Sequence, residues 1–462
     1  MSITLVLPDH LTAQITEAAG HPLETAGVLL AAMVKSPDGE TRLLGLDINW
    51  VPDGAYIERK SDRLSIASEG YVGALGEAER RGAVAIWLHT HPGMTGIPVP
   101  SPYDEEVDRQ IKDLFRLRTD SDCYGTLIVS PRPKGLAFSG RLHVGDDPAV
   151  AIERIWHVGD GWRLVRSYDS GSRPLPDLFD RNVRAFGSDI QVTLGDLHIA
   201  VVGAGGTGSA VAEQLVRLGV RNLLLIDVDT LSASNVTRVY GSSPSDVGRP
   251  KVDVLRDHLL TIAPDLSCRA VQSMITMEKS ARLLTGSDLV FGCTDDNAGR
   301  LVLSRLATYH LTPVIDMGIL LSSDADGQLT GIDGRVTVLT PGAPCLVCRN
   351  RIDMARAATE LMTPEERNRL ESEGYAPALG GGEPAVVAFT TSVAAAAVGE
   401  LLERLIGYGP SPRPSEILIR WHDREISTNR AEPNARHYCS RDSGKWGAGN
   451  VQPFLEQVWP QK

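Results

Sequence analysis

Three groups of residues in this 462-residue chain have types and spacings that chemistry uses. The first is Leu88–Asp104, LHTHPGMTGIPVPSPYD. His89 and His91 alternate at the end of an apolar run, so on a strand both side chains project from one face. Asp104 follows at the start of a helix expected over Tyr103–Phe115. Two imidazoles and a carboxylate make a three-ligand zinc set that leaves a fourth position for water. Bound zinc brings the pKa of that water toward neutrality, and a base must still take its proton. Glu24, just before the apolar run Thr25–Val34, is the carboxylate placed for that. Ser101 offers a hydroxyl to the oxyanion of peptide hydrolysis. Taken alone, H-T-H fits equally a strand that ends in two ordinary histidines.

The second group is Leu197–Asp229, LHIAVVGAGGTGSAVAEQLVRLGVRNLLLIDVD. A short apolar strand runs into Gly203, Gly205, Gly206 and Gly208. A helix over Ser209–Leu218 and a strand over Leu223–Ile226 follow, ending in Asp227. Glycines let backbone approach phosphates, and the helix N-terminus offers free N–H groups and a positive dipole end. An acid at the end of the second strand takes ribose hydroxyls. The nucleotide is then either a redox cofactor or ATP, and the next residues bear on the choice. An adenylating enzyme needs cations for a triphosphate and acids for magnesium. Asp227 and Asp229 stand at the strand end, with Asn235, Arg238 and Lys251 downstream. A further strand, Asp288–Phe291, runs into Gly292-Cys293-Thr294-Asp295-Asp296-Asn297, with Arg300 beyond. A carboxylate at the C-terminal end of such a strand faces the ligand crevice, so Asp295 is placed to hold Mg²⁺ against the phosphates. The third group is Cys345-Leu-Val-Cys348, a C-x-x-C in a Pro- and Gly-rich turn that suits zinc or, less readily, redox chemistry.

The elements that must position these residues divide the chain. Residues 1–165 read as mixed strands and helices, a compact α/β domain. The pattern gives an edge strand over Ile3–Leu7 and a helix over Leu11–Ala19. Further strands fall at Thr25–Val34, Gly82–His89, Leu127–Ser130 and Ala137–His143. Polar, Gly- and Pro-rich residues mark a linker at 166–177. Residues 178–462 read as a Rossmann-like, doubly wound α/β domain that opens with a short helix over Leu178–Phe186. Its later strands are expected at Ile315–Leu321, Gly334–Leu339 and Ile417–Trp421. A charged helix is expected over Met354–Glu373, a loop over Gly374–Pro384, and a long apolar helix over Ala385–Leu405.

A formal net charge of −12 argues against nucleic acid or an anionic membrane as the main partner. The first residues lack a basic leader, and no apolar run is long enough to span a bilayer. Six cysteines with one C-x-x-C suit a reducing compartment. The expected location is the cytoplasm.

The combination H-x-H-P, then a serine in S-x-x-D, with E-x-x-G-V-L-L upstream, resembles the JAB/MPN (JAMM) metalloprotease family. That family includes deubiquitinating isopeptidases, and the resemblance covers roughly residues 1–145. It implies that His89, His91 and Asp104 are zinc ligands, Glu24 the general base and Ser101 the oxyanion donor. The spacing departs from the family: nine residues separate His91 from Ser101, more than is usual, and the surplus is expected to bulge as loop. Farther on, G-x-G-G-x-G-S, D-x-D-x-x-x-x-S-N-x-x-R, a lysine and C-T-D-D…R resemble the ThiF-type adenylating domain of ubiquitin-activating enzymes and bacterial sulfur-carrier activators. This second resemblance covers about residues 178–407. It implies ATP·Mg²⁺ as cosubstrate, with the four glycines as phosphate loop and Asp227 on the ribose. Asn235, Arg238 and Lys251 would lie on phosphates and Asp295 on magnesium. FDRNVRAFG resembles that family's R-Q-x-x-x-F-G stretch, with Asn182 in place of glutamine. By that match Arg181 reaches the active site of a partner subunit, which implies a homodimer. Relatives with a structural zinc carry a second C-x-x-C, where this chain has only His437-Tyr438-Cys439. His437 and Cys439 would complete a Cys₃His site with Cys345 and Cys348; the alternatives are a metal-free site or a site that uses only one of the two.

Thioester-forming activating enzymes carry a cysteine between the C-x-x-C and the long helix, yet residues 349–438 contain none. The adenylate then passes to a nucleophile on a conjugating-enzyme-like partner, forms an oxyester on a residue such as Thr363 or Ser372, or serves sulfur transfer. The expectation is a fusion that adenylates a ubiquitin-like protein's C-terminus and, with zinc, trims that protein or cuts it from targets. The resemblance places such fusions in bacterial ubiquitin-like conjugation, often in antiphage defence. The alternatives are a sulfur-carrier activator for biosynthesis, a non-catalytic scaffold that binds the ubiquitin-like protein, and a nicotinamide dehydrogenase.

Overall fold

The structure is a computed structural model that describes residues 2–94, 96–133, 135–168, 175–362, 365–367, 369 and 385–460. The chain forms two compact units: Met1–Arg173 with Trp446–Asn450, and Pro174–Lys445 with Val451–Lys462.

The first unit is built on β1 (Ile3–Pro8), α1 (Asp9–Gly20), β2 (Ala26–Lys35), β3 (Thr41–Trp50), β4 (Tyr56–Arg59), β5 (Leu64–Ile66), α2 (Glu69–Arg81), β6 (Val84–Thr90), α3 (Pro102–Thr119), β7 (Cys123–Arg132), β8 (Gly135–Val144), β9 (Val150–Ala151), β10 (Arg154–Val158) and β11 (Arg163–Arg166). Nine strands make one sheet in the order β11-β10-β1-β3-β2-β6-β7-β8-β9. Strand alternation sorts its central side chains onto two faces. Leu29, Ala31, Ile86 and Leu88 pack with Leu11 and Ile15 of α1. Val28, Leu30, Ala85 and Trp87 pack with Leu75 of α2 and Phe115 of α3. His89 continues the Trp87 face, the one that α3 covers.

The expected edge strand Ile3–Leu7 is instead interior, between β3 and β10. Every residue of β1 is buried, and its backbone pairs with β10 on one side and β3 on the other. β10 and β11, from residues near the expected linker, extend the sheet there.

The second unit contains α4 (Asp180–Phe186), α5 (Ser188–Asp196), β12 (His198–Val202), α6 (Gly206–Leu218), β13 (Asn222–Ile226), α7 (Lys251–Ile262), β14 (Ser267–Val271), α8 (Glu278–Leu283), β15 (Leu289–Gly292), α9 (Asn297–Tyr309), β16 (Val314–Ser323), β17 (Leu329–Leu339), α10 (Met354–Glu360), α11 (Val387–Ile406), β18 (Glu416–Arg420) and β19 (Glu425–Asn429). The sheet order is β14-β13-β12-β15-β16-β17-β18-β19. The first five strands are parallel and the last three antiparallel. Strand order reverses between β12 and β15, the point where a doubly wound sheet opens a ligand crevice. The central parallel strands β12, β13 and β15 are mostly apolar and buried on both faces, as helices on both sides require. Of the expected helix Met354–Glu373, α10 covers Met354–Glu360 and residues 365–367 and 369 are helical; residues 363–364, 368 and 370–373 lie outside the described residues. The expected loop Gly374–Pro384 lies outside the described residues. Among the described residues no helix is long and apolar enough to cross a membrane.

Candidate functional site

In the first unit, β6 lies between β2 and β7, with His89 opposite Ala26 on one side and Ile128 on the other. The chain past β6 is held from both flanks. Thr90 N–H donates to the Thr25 carbonyl at 3.0 Å, and His91 N–H to the Val129 carbonyl at 2.8 Å. Ser101 caps α3: its hydroxyl accepts from the Asp104 N–H at 3.1 Å, and its own N–H donates to Asp104 Oδ2 at 2.7 Å. That reciprocal cap points Asp104 at the strand end, 3.2 Å from His89 Nε2 and 3.5 Å from His91 Nε2. The two Nε2 atoms face each other at 3.2 Å. One ligand atom from each of the three residues lies within 4.8 Å of the others. Two lone pairs and a carboxylate converging on one point fit a single zinc ion, as the ligand set requires. The described residues between His91 and Ser101 form neither helix nor strand, and Ser130 Oγ donates to the Gly96 carbonyl at 2.7 Å.

Glu24 is 5% exposed, and its Oε1 is 3.8 Å from His91 Nε2. Burial pushes its carboxyl up to about 7; His91 opposes the shift and Asp104 adds to it. Burial also acts to raise the Asp104 carboxyl, but His89, His91 and the Ser101 N–H outweigh it and hold that group well below the usual range.

In the second unit the glycine turn crosses the end of the sheet. Gly203 has φ +97°, and a Cβ there would meet the Cys293 carbonyl oxygen at 2.6 Å. A Cβ on Gly208 would meet the Gly203 oxygen at 1.8 Å. Both glycines are therefore required for the turn to close. Gly205 is different: a Cβ there would meet nothing within 4 Å. No side chain caps the α6 N-terminus, which leaves open space at the positive end of a helix. A Cβ on Gly206 would meet Arg238 at 3.2 Å, so Arg238 lies along the turn. Lys251 Nζ pairs with Asp229 Oδ2 at 2.7 Å.

Asp227 accepts the Ala204 and Asp229 N–H groups, at 2.6 and 2.8 Å, which fixes the turn and leaves a lone pair on each oxygen. Burial pushes its carboxyl up against those two bonds. Asn235 Oδ1 accepts from Ser232 N–H at 3.1 Å, capping a short turn and leaving its amide N–H groups for a ligand. Asp296 caps α9 through the Gly299 N–H, whereas Asp295 is exposed. Among the described residues Asp295 has no hydrogen bond or ion pair. Cys293 beside it is a poor nucleophile, because burial, with Asp316 and Asp227 nearby, drives its thiol well above the ordinary range. Arg181 is exposed on α4. Thr363 and Ser372 lie outside the described residues.

The turn carrying Cys345 and Cys348 meets His437 and Cys439. Cys345 Sγ is 3.2 Å from His437 Nδ1, His437 Nδ1 is 3.4 Å from Cys439 Sγ, and the Cys348 and Cys439 sulfurs are 3.6 Å apart. All four ligand atoms lie within 4.8 Å of one another, the span of a tetrahedral Cys₃His zinc set. The Cys439 hydrogen bond to Cys345 holds the Cys345 thiol below its ordinary range.

Sequence reasoning missed two supports of the crevice. Glu360 of α10 accepts the Ala298 N–H at 2.8 Å, and Asn297 Oδ1 accepts the Asp353 N–H at 2.9 Å. These bonds tie α10 to the start of α9. Asp316 is fully buried with Arg335 Nη2 at 2.7 Å and Arg300 Nε at 3.6 Å. Arg300 stood in the C-T-D-D…R pattern; nothing local marked Asp316 or Glu360.

The sequence matches the ThiF family model over residues 179–440. Molybdopterin-synthase adenylyltransferase of Escherichia coli is 34% identical over 179 residues, 38% of this chain and 68% of that protein. Ubiquitin-like modifier-activating enzyme 5 of Oryza sativa subsp. japonica is 31% identical over 179 residues, 36% of this chain and 40% of that protein. Among solved structures, Escherichia coli MccB with MccA-N7isoASN has a TM-score of 0.46 at 17% identity, covering 58% of this chain and 76% of that one. The family match spans more than half the chain and runs through the glycine turn, Asp227, Asp295 and the cysteine turn, so this chain belongs to the ThiF family.

Proposed function

We propose that the second unit adenylates the carboxyl terminus of a small ubiquitin-like or sulfur-carrier protein. In the same reading, the first unit is a JAMM-type zinc hydrolase that processes that tail. The observation that carries adenylation is the crevice at the strand ends. An uncapped helix N-terminus, Arg238, Lys251 and an unpartnered Asp295 gather there. The names of relatives support the substrate class; they include Escherichia coli sulfur carrier protein ThiS adenylyltransferase, 31% identical over 153 residues.

ATP is a substrate in this reading. The tail carboxylate attacks the α-phosphorus, and pyrophosphate leaves. The α6 N–H groups and Arg238 hold phosphate oxygens, and Lys251 exchanges Asp229 for the leaving group. Asp227 takes the ribose through its remaining lone pairs, and Asn235 donates to a phosphate. Asp295 would hold Mg²⁺, which offsets phosphate charge. Arg181 would complete the site of a partner subunit in a homodimer. With no cysteine in residues 349–438, the adenylate passes to a nucleophile on another protein. That same absence favours the sulfur-carrier variant as second reading.

In the first unit a zinc ion on His89, His91 and Asp104 would supply Lewis acidity. Glu24 takes the proton of the attacking water and returns it to the leaving amine. The Ser101 hydroxyl proton, not used by the cap, is available to the oxyanion. Zinc on Cys345, Cys348, His437 and Cys439 would be structural.

The test is ATP–pyrophosphate exchange with a candidate carrier protein, and cleavage of that protein carrying a C-terminal extension. Exchange that depends on the carrier's last residue and falls about a hundredfold or more in Asp295→Ala supports adenylation. Loss of cleavage in Glu24→Gln with exchange intact supports two separate chemistries. Exchange indifferent to Asp295→Ala would sink the adenylation reading.

A further inference from the structure

We propose that Arg59, on β4, is a positioning residue for Glu24: its guanidinium fixes the backbone that holds the Glu24 carboxylate beside His89, His91 and Asp104. The proposal rests on the hydrolase reading above. Glu24 precedes β2, which begins at Ala26, so no sheet ladder holds it. His21, Pro22 and Leu23 before it are exposed. A base displaced by an ångström from its proton loses on the order of a hundredfold in rate, so something outside the sheet must fix this stretch.

The β4–β5 hairpin takes up both backbone groups of Glu24. The Glu24 N–H donates to the Lys60 carbonyl at 2.8 Å, and the Glu24 carbonyl accepts from Arg59 Nε at 2.9 Å. Arg59 Nη2 donates to Thr25 Oγ1 at 2.8 Å, and Nη1 to the exposed Asp53 at 2.9 Å. The guanidinium lies 4.5 Å from the centre of the Tyr56 ring, and the Tyr56 hydroxyl accepts the Ala26 N–H at 3.0 Å. β4 and the residue after it thus hold Glu24, Thr25 and Ala26 in succession.

Thr25 is also tied to the strand of the histidines. Its N–H donates at 2.9 Å to the hydroxyl of Thr90, the residue between His89 and His91. Arg59 therefore locks the stretch that sets the base against the ligand pair. A planar fork reaches the Glu24 carbonyl and the Thr25 hydroxyl at once, which a lysine ammonium on a flexible stem does not reproduce. At the far end of the hairpin, Arg63 lies over the Tyr103 ring at 5.5 Å, next to Asp104. The hairpin meets both the stretch that carries the base and the helix that carries a ligand.

The test uses the full chain with Arg59→Ala, Arg59→Lys or Asp53→Ala. Hydrogen exchange is followed at the Glu24 amide and at the amides of β6, together with zinc content. Both Arg59 variants are expected to speed exchange at Glu24 about tenfold or more, with β6 and zinc content unchanged. Asp53→Ala removes only the exposed arm of the fork and is expected to change none of the three. Exchange unchanged at Glu24, or raised equally in β6 or by Asp53→Ala, overturns the proposal.

In a parallel arm each chain cleaves a ubiquitin-like carrier protein with a C-terminal extension. Arg59→Ala is expected to lower kcat about tenfold to a hundredfold with KM held within about twofold. Faster exchange at Glu24 with kcat unchanged overturns the positioning role and leaves the hydrolase standing. Faster exchange at Glu24 with no cleavage by the unsubstituted chain supports Arg59 as the holder of Glu24 and removes the hydrolase reading instead.

Discussion

Four glycines in one turn have different physical duties. Gly208 cannot accept a Cβ, because the Gly203 oxygen lies 1.8 Å from where it would sit. Gly205, at φ −76° and ψ −160°, is in backbone that any residue adopts, with nothing within 4 Å. Gly208→Ala is therefore expected to destabilise the second unit by about 3 kcal/mol or more. Gly205→Ala should change stability by less than about 0.5 kcal/mol and weaken ATP binding about tenfold, by filling phosphate space. Urea unfolding and ATP titration of the two variants check this. Equal stability losses would mean that Gly205 serves the fold and not the nucleotide.

At the scale of the element, α3 does two things with one residue. Ser101 caps the helix and, through its own N–H, steers the Asp104 carboxylate toward His89 and His91. Ser101→Ala should cost about 1 kcal/mol of stability through the lost cap. The Ser101 N–H still orients Asp104, so zinc content should hold at one ion per site. If the hydroxyl also serves the oxyanion, cleavage falls about a hundredfold at unchanged zinc content. Activity that drops only in step with stability would leave Ser101 as a cap alone. S-x-x-D was legible in the sequence as a family pattern; the double use of that serine is visible only once helix and strand meet.

At the scale of a whole unit, pH acts through a buried histidine. His157 of β10 is 7% exposed, with Thr12 Oγ1 at 2.8 Å from its Nδ1. Burial, with Arg163 adding, brings its pKa down to about 3 from an ordinary 6.5. The unfolded chain thus binds a proton that the folded unit refuses between these values. Stability from this group is complete above pH 6.5 and lost as pH falls toward 3, by up to a few kcal/mol. Chemical unfolding at pH 7 and pH 5 should give a steeper decline in the unsubstituted chain than in His157→Gln. Parallel declines would refute this assignment.

The sequence by itself determined what lies within a strand period or a helix turn. His89 and His91 share a face because alternate strand residues do, and the glycine turn, Asp227 and Asp295 fall at strand ends because a doubly wound pattern puts them there. The expectation failed where pairing came from a distance. Ile3–Leu7 read as an edge because its neighbour β10 lies some 150 residues on, as the Thr4–Arg154 pairing shows. The same limit hid Glu360 and Asp316. Only the tertiary structure decided how near Glu24 stands to His91, and that Cys345 meets His437 across 92 positions of sequence. Such distances follow from register, and register is set by burying both faces of each sheet at once, a condition that no local stretch contains.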